Sequence, residues 1–142
     1  MYLLKTSFHR YFSGIVALIT LASTYLFQEF DYSSLVGQLE GFSKFIFNKS
    51  IRFIINDVAC LLLIAAIFRK SSYLRLSALV FILELVVLLP LYFVMKLSIE
   101  GDSEISSPLL SQLHRMIINP LLMIVLILGF IYQDYYWKKP DL

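Results

Sequence analysis

Four long apolar stretches constrain this chain more than any other feature of its sequence. They cover residues 11–28, 53–68, 76–97 and 116–133 and are separated by shorter, more polar connections. A helix needs about 20 predominantly apolar residues to cross the hydrocarbon core of a bilayer, and each stretch is close to that length. The sequence therefore predicts an all-α membrane protein with four transmembrane helices packed in a compact bundle.

The composition leaves little room for a second kind of domain. Of the 142 residues, 59% are hydrophobic, and the mean hydropathy is +0.79. We therefore interpret residues 1–142 as a single integral membrane domain. The net charge of +2 comes without a basic block, which argues against a nucleic-acid partner. Cys60 is the only cysteine, so the chain cannot form an internal disulfide.

Basic residues near the ends of the apolar stretches indicate the orientation of the chain. The short connection after residue 68 carries three cations and no acid, whereas the connection after residue 97 is acidic. By the positive-inside rule, this pattern predicts that both termini are cytoplasmic. The residues used are Lys5, Arg10, Arg69, Lys70, Arg75, Lys138 and Lys139 on the inner side, against Lys44, Lys49, Arg52, Lys96 and Arg115 on the outer side, and Glu100, Asp102 and Glu104 in the acidic connection.

The first connection is not a plain polar loop. Leu35, Leu39 and Phe42 recur at helical spacing, which predicts a short amphipathic helix in the membrane interface between helices 1 and 2. Two prolines mark the later stretches. Pro90 is expected to kink the third helix, and Pro120 is expected to lie near the first turn of the fourth.

The second and fourth stretches open with nearly the same string. Residues 52–56 read RFIIN and residues 115–119 read RMIIN. In a helix, Arg52 and Asn56 share a face, and so do Arg115 and Asn119. Polar groups at the edge of a membrane helix cost free energy unless they are paired, which favours a common role. Alternatively, each arginine extends to lipid phosphates while its stem covers apolar surface.

Further ionisable residues lie on the same helices. At the helical rise per residue, Asp57 and Glu84 reach depths within about one turn of each other. An ionised carboxylate near the membrane centre costs about 2.5–3.5 kcal/mol or more, so Glu84 is expected to face protein or a cationic partner. The candidate site is a polar cluster at an interface within the bundle or with a partner, comprising Arg52, Asn56, Asp57, Glu84, His114, Arg115 and Asn119.

Two other functions stay open for these residues. Asp57 and Glu84 are the groups that a small proton- or ion-coupled transporter subunit needs. Cys60, with His114 as base, is the pair that a thiol-dependent intramembrane enzyme needs, although their contact requires helix 4 to be displaced by about 10 Å. The sequence shows no metal-ligand spacing, phosphate-binding glycine loop or Ser-His-Asp set, so we expect no metal, cofactor or catalytic residues.

Several short motifs resemble one family. Residues 26–32 (LFQEFDY), 52–56 (RFIIN), 114–122 (HRMIINPLL) and 130–133 (FIYQ) are similar to the small exosortase F-associated membrane proteins of Bacteroidetes, over nearly the full length. Members are encoded beside an exosortase, an intramembrane enzyme that processes sorting signals. The resemblance, or one to a related exosortase-associated type, implies a non-catalytic accessory subunit of the inner membrane, surrounded by lipid headgroups and bound to an exosortase-like partner in an oligomer or hetero-complex.

Overall fold

All regular secondary structure in the part of the chain that the structure describes is helical. In this computed structural model the described residues are 7–37, 39–99, 101 and 107–137, and no strand occurs among them. The α-helices are α1 (Ser7–Leu26), α2 (Gly41–Ile67), α3 (Ser71–Leu83), α4 (Leu89–Ile99), α5 (Pro108–Ile117) and α6 (Leu121–Trp137), with a 3-10 turn at Tyr32–Leu35 and a π-helical turn at Glu84–Leu88. Of the charges used for orientation, Lys5, Glu100, Asp102, Glu104, Lys138 and Lys139 lie outside the described residues.

Two of these helices are long and apolar enough to cross a bilayer. They are α2, with a mean hydropathy of 2.0, and the continuous helix Ser71–Ile99 formed by α3, the π-helical turn and α4, with 2.6. The pair α5 and α6, bent by 56° at its break, makes a third if it counts as one broken span. The predicted all-α, membrane-compatible character is confirmed, and the described helices give two or three candidate spans.

Helix α1 packs against α2 as an antiparallel hairpin. At one end Gly14 lies so close to α2 that a Cβ added there would be 3.4 Å from the Cβ of Ala66, which a small residue permits. Beside it, the Arg10 guanidinium donates to the carbonyl of Ala66 at 2.7 Å and to that of Ile67 at 3.0 Å. These carbonyls belong to the last turn of α2, so Arg10 supplies donors that the helix itself lacks there.

The predicted separate interfacial helix was wrong. Leu35 ends the 3-10 turn, whereas Phe42 belongs to α2, which runs without interruption from Gly41 to Ile67. Gly37 and Gly41 have φ angles of +142° and +58°, which L side chains rarely adopt, and they break any helix across this segment. The sequence downstream of Gly41 has no proline or glycine before Ile67, so α2 starts well before the predicted residue 53.

The predicted single fourth helix was also wrong. It is two helices, because α5 ends at Ile117 and α6 begins at Leu121. The proline ring of Pro120 disfavours a helical conformation of the residue before it, so the chain breaks at this point instead of continuing. Upstream, α5 has its own start, where the Ser107 hydroxyl accepts a hydrogen bond from the Leu110 amide at 3.5 Å.

Pro90 acts on the hydrogen bonding of its helix. A proline has no amide hydrogen and its ring crowds the preceding turn. Directly before it, the Leu89 amide donates to the carbonyl of Glu84, five residues back, and the turn widens into the π-helical segment Glu84–Leu88. Such a turn rotates the helix on its amino-terminal side relative to the helix on its carboxy-terminal side. Glu84 is therefore placed by this irregular turn and not by regular helical spacing.

Two apolar clusters fix the helices, one near each end of the molecule. In one, the rings of Tyr73 and Phe130 stack with centroids 4.3 Å apart, and the Tyr73 hydroxyl donates to Asp134 at 2.9 Å. Along α2 these clusters begin at Phe53 and at Ile64, with polar residues between them. Their buried members are Phe53, Leu89, Tyr92, Ile117 and Ile118 in one cluster, and Ile64, Phe68, Tyr73, Ile127 and Phe130 in the other.

Candidate functional site: buried polar groups along helix α2

Asn56 joins three parts of the chain. Its side chain is buried on α2, its Oδ1 accepts a hydrogen bond from the Thr24 hydroxyl of α1, and its Nδ2 donates to the carbonyl of Ile118 at 2.9 Å. Ile118 lies in the break between α5 and α6, where a helix end leaves carbonyls without intrahelical donors. We call Thr24, Asn56 and Ile118 the Asn56 link, and it fastens α1 and the broken pair to α2.

Asp57 and Glu84 form a buried pair of carboxyl groups. Both side chains are 0% exposed, and no donor of another described residue reaches any of their four oxygens. The two groups are close enough to interact electrostatically. The thiol of Cys60, one turn further along α2, also interacts electrostatically with both. We call Asp57 and Glu84 the carboxyl pair. The structure thus brings together the two acids that the sequence places at similar depth.

The carboxyl pair is costly for the fold. Burying a polar group without a hydrogen bond costs about 1–3 kcal/mol by mutational data, and an unpaired charge costs more. The cations that this chain offers as partners of Glu84 are Arg52, His114 and Arg115, and none of them makes an ion pair with it in the described part of the chain. A group kept in such a place is a candidate for function in a membrane helix.

Arg52 lines an open cleft of about 640 Å³ where the end of α1 meets the start of α2. Its side chain is 7% exposed, and its Nη1 donates to the carbonyl of Gln28 at 3.1 Å. Its Nε is buried and has no hydrogen-bond partner among the described residues. We call this the cationic cleft, after its charged lining residues Arg52, Lys44, Lys49 and Glu29.

The second arginine and asparagine of the repeated string have different surroundings. Arg115 is exposed on α5, and Asn119 lies half-buried in the break after it. The prediction that they share a helical face, as Arg52 and Asn56 do, was wrong because the helix ends at Ile117 between them. The similar letters therefore do not produce a second buried arginine and asparagine.

His114 pairs with an aromatic residue that no sequence motif singles out. Its Nδ1 lies 3.0 Å from the hydroxyl of Tyr92. Thr24, the α1 partner of Asn56, and Lys96, which is 3% exposed, were likewise missed. A hydroxyl or a lysine in an apolar run carries no spacing signal that identifies its partner on another helix, so these residues emerge only from the fold.

Asp31 forms a polar network over the start of α2. Its carboxylate accepts hydrogen bonds from the Ser33 amide at 3.0 Å and from the Asn48 Nδ2 at 2.9 Å, and it forms an ion pair with Lys44 at 2.6 Å. The Lys44 ammonium, followed by the Ser33 and Asn48 donors, lowers the pKa of Asp31 well below its ordinary value of 3.8. This network fixes the 3-10 turn beside the cationic cleft.

Nothing in the described residues assembles a reaction centre around Cys60. Its thiol is 0% exposed, so a substrate has no path to the sulfur without opening the helices. The described residues also contain no group of three or more His, Cys, Asp or Glu side chains that could hold a metal ion. No observation favours the thiol-enzyme alternative.

Comparisons of the chain with models of protein families, with curated proteins and with solved structures found no match. The resemblance to the exosortase-associated family therefore stays a prediction from short motifs.

Proposed function

We propose that this chain is a non-catalytic accessory subunit of a membrane protein complex that assists an exosortase-type system of protein sorting. In this proposal α1 is a fourth span, the helices form a compact bundle in the inner membrane, and both termini are cytoplasmic. Its partner is an integral membrane protein of the exosortase kind.

One observation carries the proposal. The buried side chains of Thr24 and Asn56 join α1, α2 and the break after α5 through hydrogen bonds. In lipid, such interhelical contacts supply about 0.6–2 kcal/mol each, whereas apolar packing alone gives little drive for association. A chain that uses its polar groups in this way is suited to present a rigid surface to a partner.

Co-purification tests the accessory role. Arg115 is exposed on α5, and arginine is among the residues that contribute most at protein interfaces. We expect a membrane partner, identified by mass spectrometry after purification in mild detergent, to be retained by the wild type and lost with Arg115→Ala. The control is Arg75→Ala, which removes an exposed arginine from α3 at the other end of the molecule. Equal recovery with both variants, or no partner with the wild type, contradicts the proposal.

The carboxyl pair favours a second candidate, a proton- or ion-coupled transporter subunit. Two buried acids without partners among the described residues can share one proton, release it and take it up again. Proteoliposomes containing a pH-sensitive dye test this function, because Glu84→Gln removes one acid and is expected to abolish a pH-dependent flux. Glu40→Gln, which changes an exposed acid before α2, is the control. A wild type without flux, or an equal flux in Glu84→Gln, eliminates this candidate.

A further inference from the structure

We propose that the cationic cleft binds the phosphate group of an anionic phospholipid. The proposal rests on the membrane location proposed above and is independent of the accessory role. Its basis is the charge of the lining, the state of the Arg52 guanidinium and the apolar surface beside the cleft.

The lining of the cleft carries an excess of positive charge. Lys44, Lys49 and Arg52 line it, against the single carboxylate of Glu29. Lys44 is already paired with Asp31 at 2.6 Å, and the Lys49 ammonium lies 5.9 Å from the centroid of the Phe45 ring. Among the three, Arg52 has a buried donor, Nε, without a hydrogen-bond partner in the described part of the chain. An anion in the cleft adds to the existing network without replacing a contact of Asp31.

The Arg52 side chain has a polar group that lacks an acceptor among the described residues. Nη1 donates to Gln28, which leaves the edge formed by Nε and Nη2, and Nε is buried without a hydrogen-bond partner. This edge of a guanidinium donates two parallel hydrogen bonds to phosphate oxygens. Burial has removed water from Nε and the described chain supplies no acceptor in its place, so a rotation of the side chain that turns this edge into the cleft lets a phosphate supply the missing acceptor.

The size and the border of the cleft favour a lipid over a free phosphate. Its volume of about 640 Å³ lies within the range of ligand sites and is large enough for a phosphate with its glycerol. Phe30 and Phe45 belong to the lining, and Leu26 and Phe27, which precede the lining residue Gln28 in the chain, have exposed fractions of 74% and 65%. A phosphate with attached acyl chains covers these apolar side chains, whereas inorganic phosphate leaves them exposed.

Native mass spectrometry of the full chain in mild detergent measures this binding. Dioleoyl-phosphatidylglycerol is titrated at fixed ionic strength into the wild type, Arg52→Gln and the control Arg75→Gln, and inorganic phosphate is titrated in a parallel series. We expect the Kd for the lipid to rise about tenfold with Arg52→Gln, to rise less with Arg52→Lys, and to stay unchanged with Arg75→Gln.

A second variant keeps the proposal testable if Arg52→Gln does not fold. Glu29→Gln alters an exposed residue and removes the acid from the lining, so it is expected to lower the Kd for the lipid. Equal Kd values for Arg52→Gln and Arg75→Gln, or a Glu29→Gln variant that binds no more tightly than the wild type, overturn the proposal. Displacement of the lipid by inorganic phosphate at similar concentration also overturns it, because the ligand is then a soluble phosphate. Loss of a partner with Arg115→Ala has no bearing on any of these results.

Discussion

Asn56 and Asp57 are neighbours on one helix, both are polar and both are buried, yet their bonding is opposite. The amide of Asn56 has a donor in Thr24 and an acceptor in Ile118. The carboxyl group of Asp57 lies against that of Glu84, and neither receives a hydrogen bond from another described residue. Asn56 therefore stabilises the contacts between the helices, whereas burying Asp57 costs stability.

The difference lies in what each neighbouring element offers. The break after α5 presents a backbone carbonyl, and an amide can donate to it while accepting from a hydroxyl. The π-helical turn before Pro90 instead presents another acid, and a carboxyl group donates a hydrogen bond only while it carries a proton. Irregular helix geometry thus accounts for both cases. The break after α5 gives Asn56 a hydrogen-bond acceptor, whereas the π-helical turn places a second acid beside Asp57.

The largest expected effect comes from removing the satisfied group. Asn56→Ala leaves the Ile118 carbonyl and the Thr24 hydroxyl buried without these partners, so we expect the free energy of unfolding to fall by about 2–4 kcal/mol. Unfolding in increasing denaturing detergent measures it. Thr24→Val removes the hydrogen bonds of that hydroxyl to Asn56 and to the Leu21 carbonyl and is expected to cost about 1 kcal/mol. If Asn56→Ala is as stable as the wild type, the hydrogen bonds of Asn56 do not stabilise the fold and the contrast with Asp57 is wrong.

The opposite sign is expected for the unsatisfied pair. Glu84→Gln supplies an amide donor to Asp57 and removes one of two facing acids, so we expect a gain in stability of about 1–2 kcal/mol. Asp134→Asn is the matched control, because that carboxylate accepts from Lys70 at 2.6 Å and from Tyr73 at 2.9 Å, and its loss is expected to weaken the fold. Thermal unfolding in detergent compares the two variants, and a loss of stability with Glu84→Gln contradicts the assignment.

The smallest expected effect concerns Asp31, a carboxylate that, unlike Asp57, accepts several hydrogen bonds. Because its pKa is lowered by Lys44, Ser33 and Asn48, Asp31 stabilises the folded state fully above its ordinary value of 3.8, and this contribution is lost as the pH falls further. Asp31→Asn is therefore expected to lower the unfolding temperature slightly at pH 7 and by less at pH 3. High salt is expected to reduce the difference, since the pair with Lys44 is solvent-exposed. An equal difference at both pH values rules out the carboxylate as its source.

The all-α character was predictable because apolar length is written directly in the sequence. The similar depth of Asp57 and Glu84 also follows from counting residues along two helices. The boundaries of the helices were harder to predict. Gly37 and Gly41 interrupt the helical structure through positive φ angles, and the spacing of Leu35, Leu39 and Phe42 does not reveal these angles.

The different surroundings of the two RxIIN strings could not be predicted from the letters. Both strings open an apolar stretch, but only the second is followed by a proline, and Pro120 ends the helix before Asn119 can share a face with Arg115. The partners of Asn56 and His114 depend on how helices pack side by side. That packing is determined by tertiary contacts, which produce no periodic pattern in the sequence.

The hydrogen bond from Asn56 to Ile118 can form only after residue 118 has been synthesised. It spans 62 residues, whereas the contacts of Arg10 and Thr24 with α2 are complete once residue 67 has been made. A nascent chain can therefore form the hairpin of α1 and α2 before the acceptor for the Asn56 amide has been synthesised. The last two helices arrive at a surface that already carries their docking point.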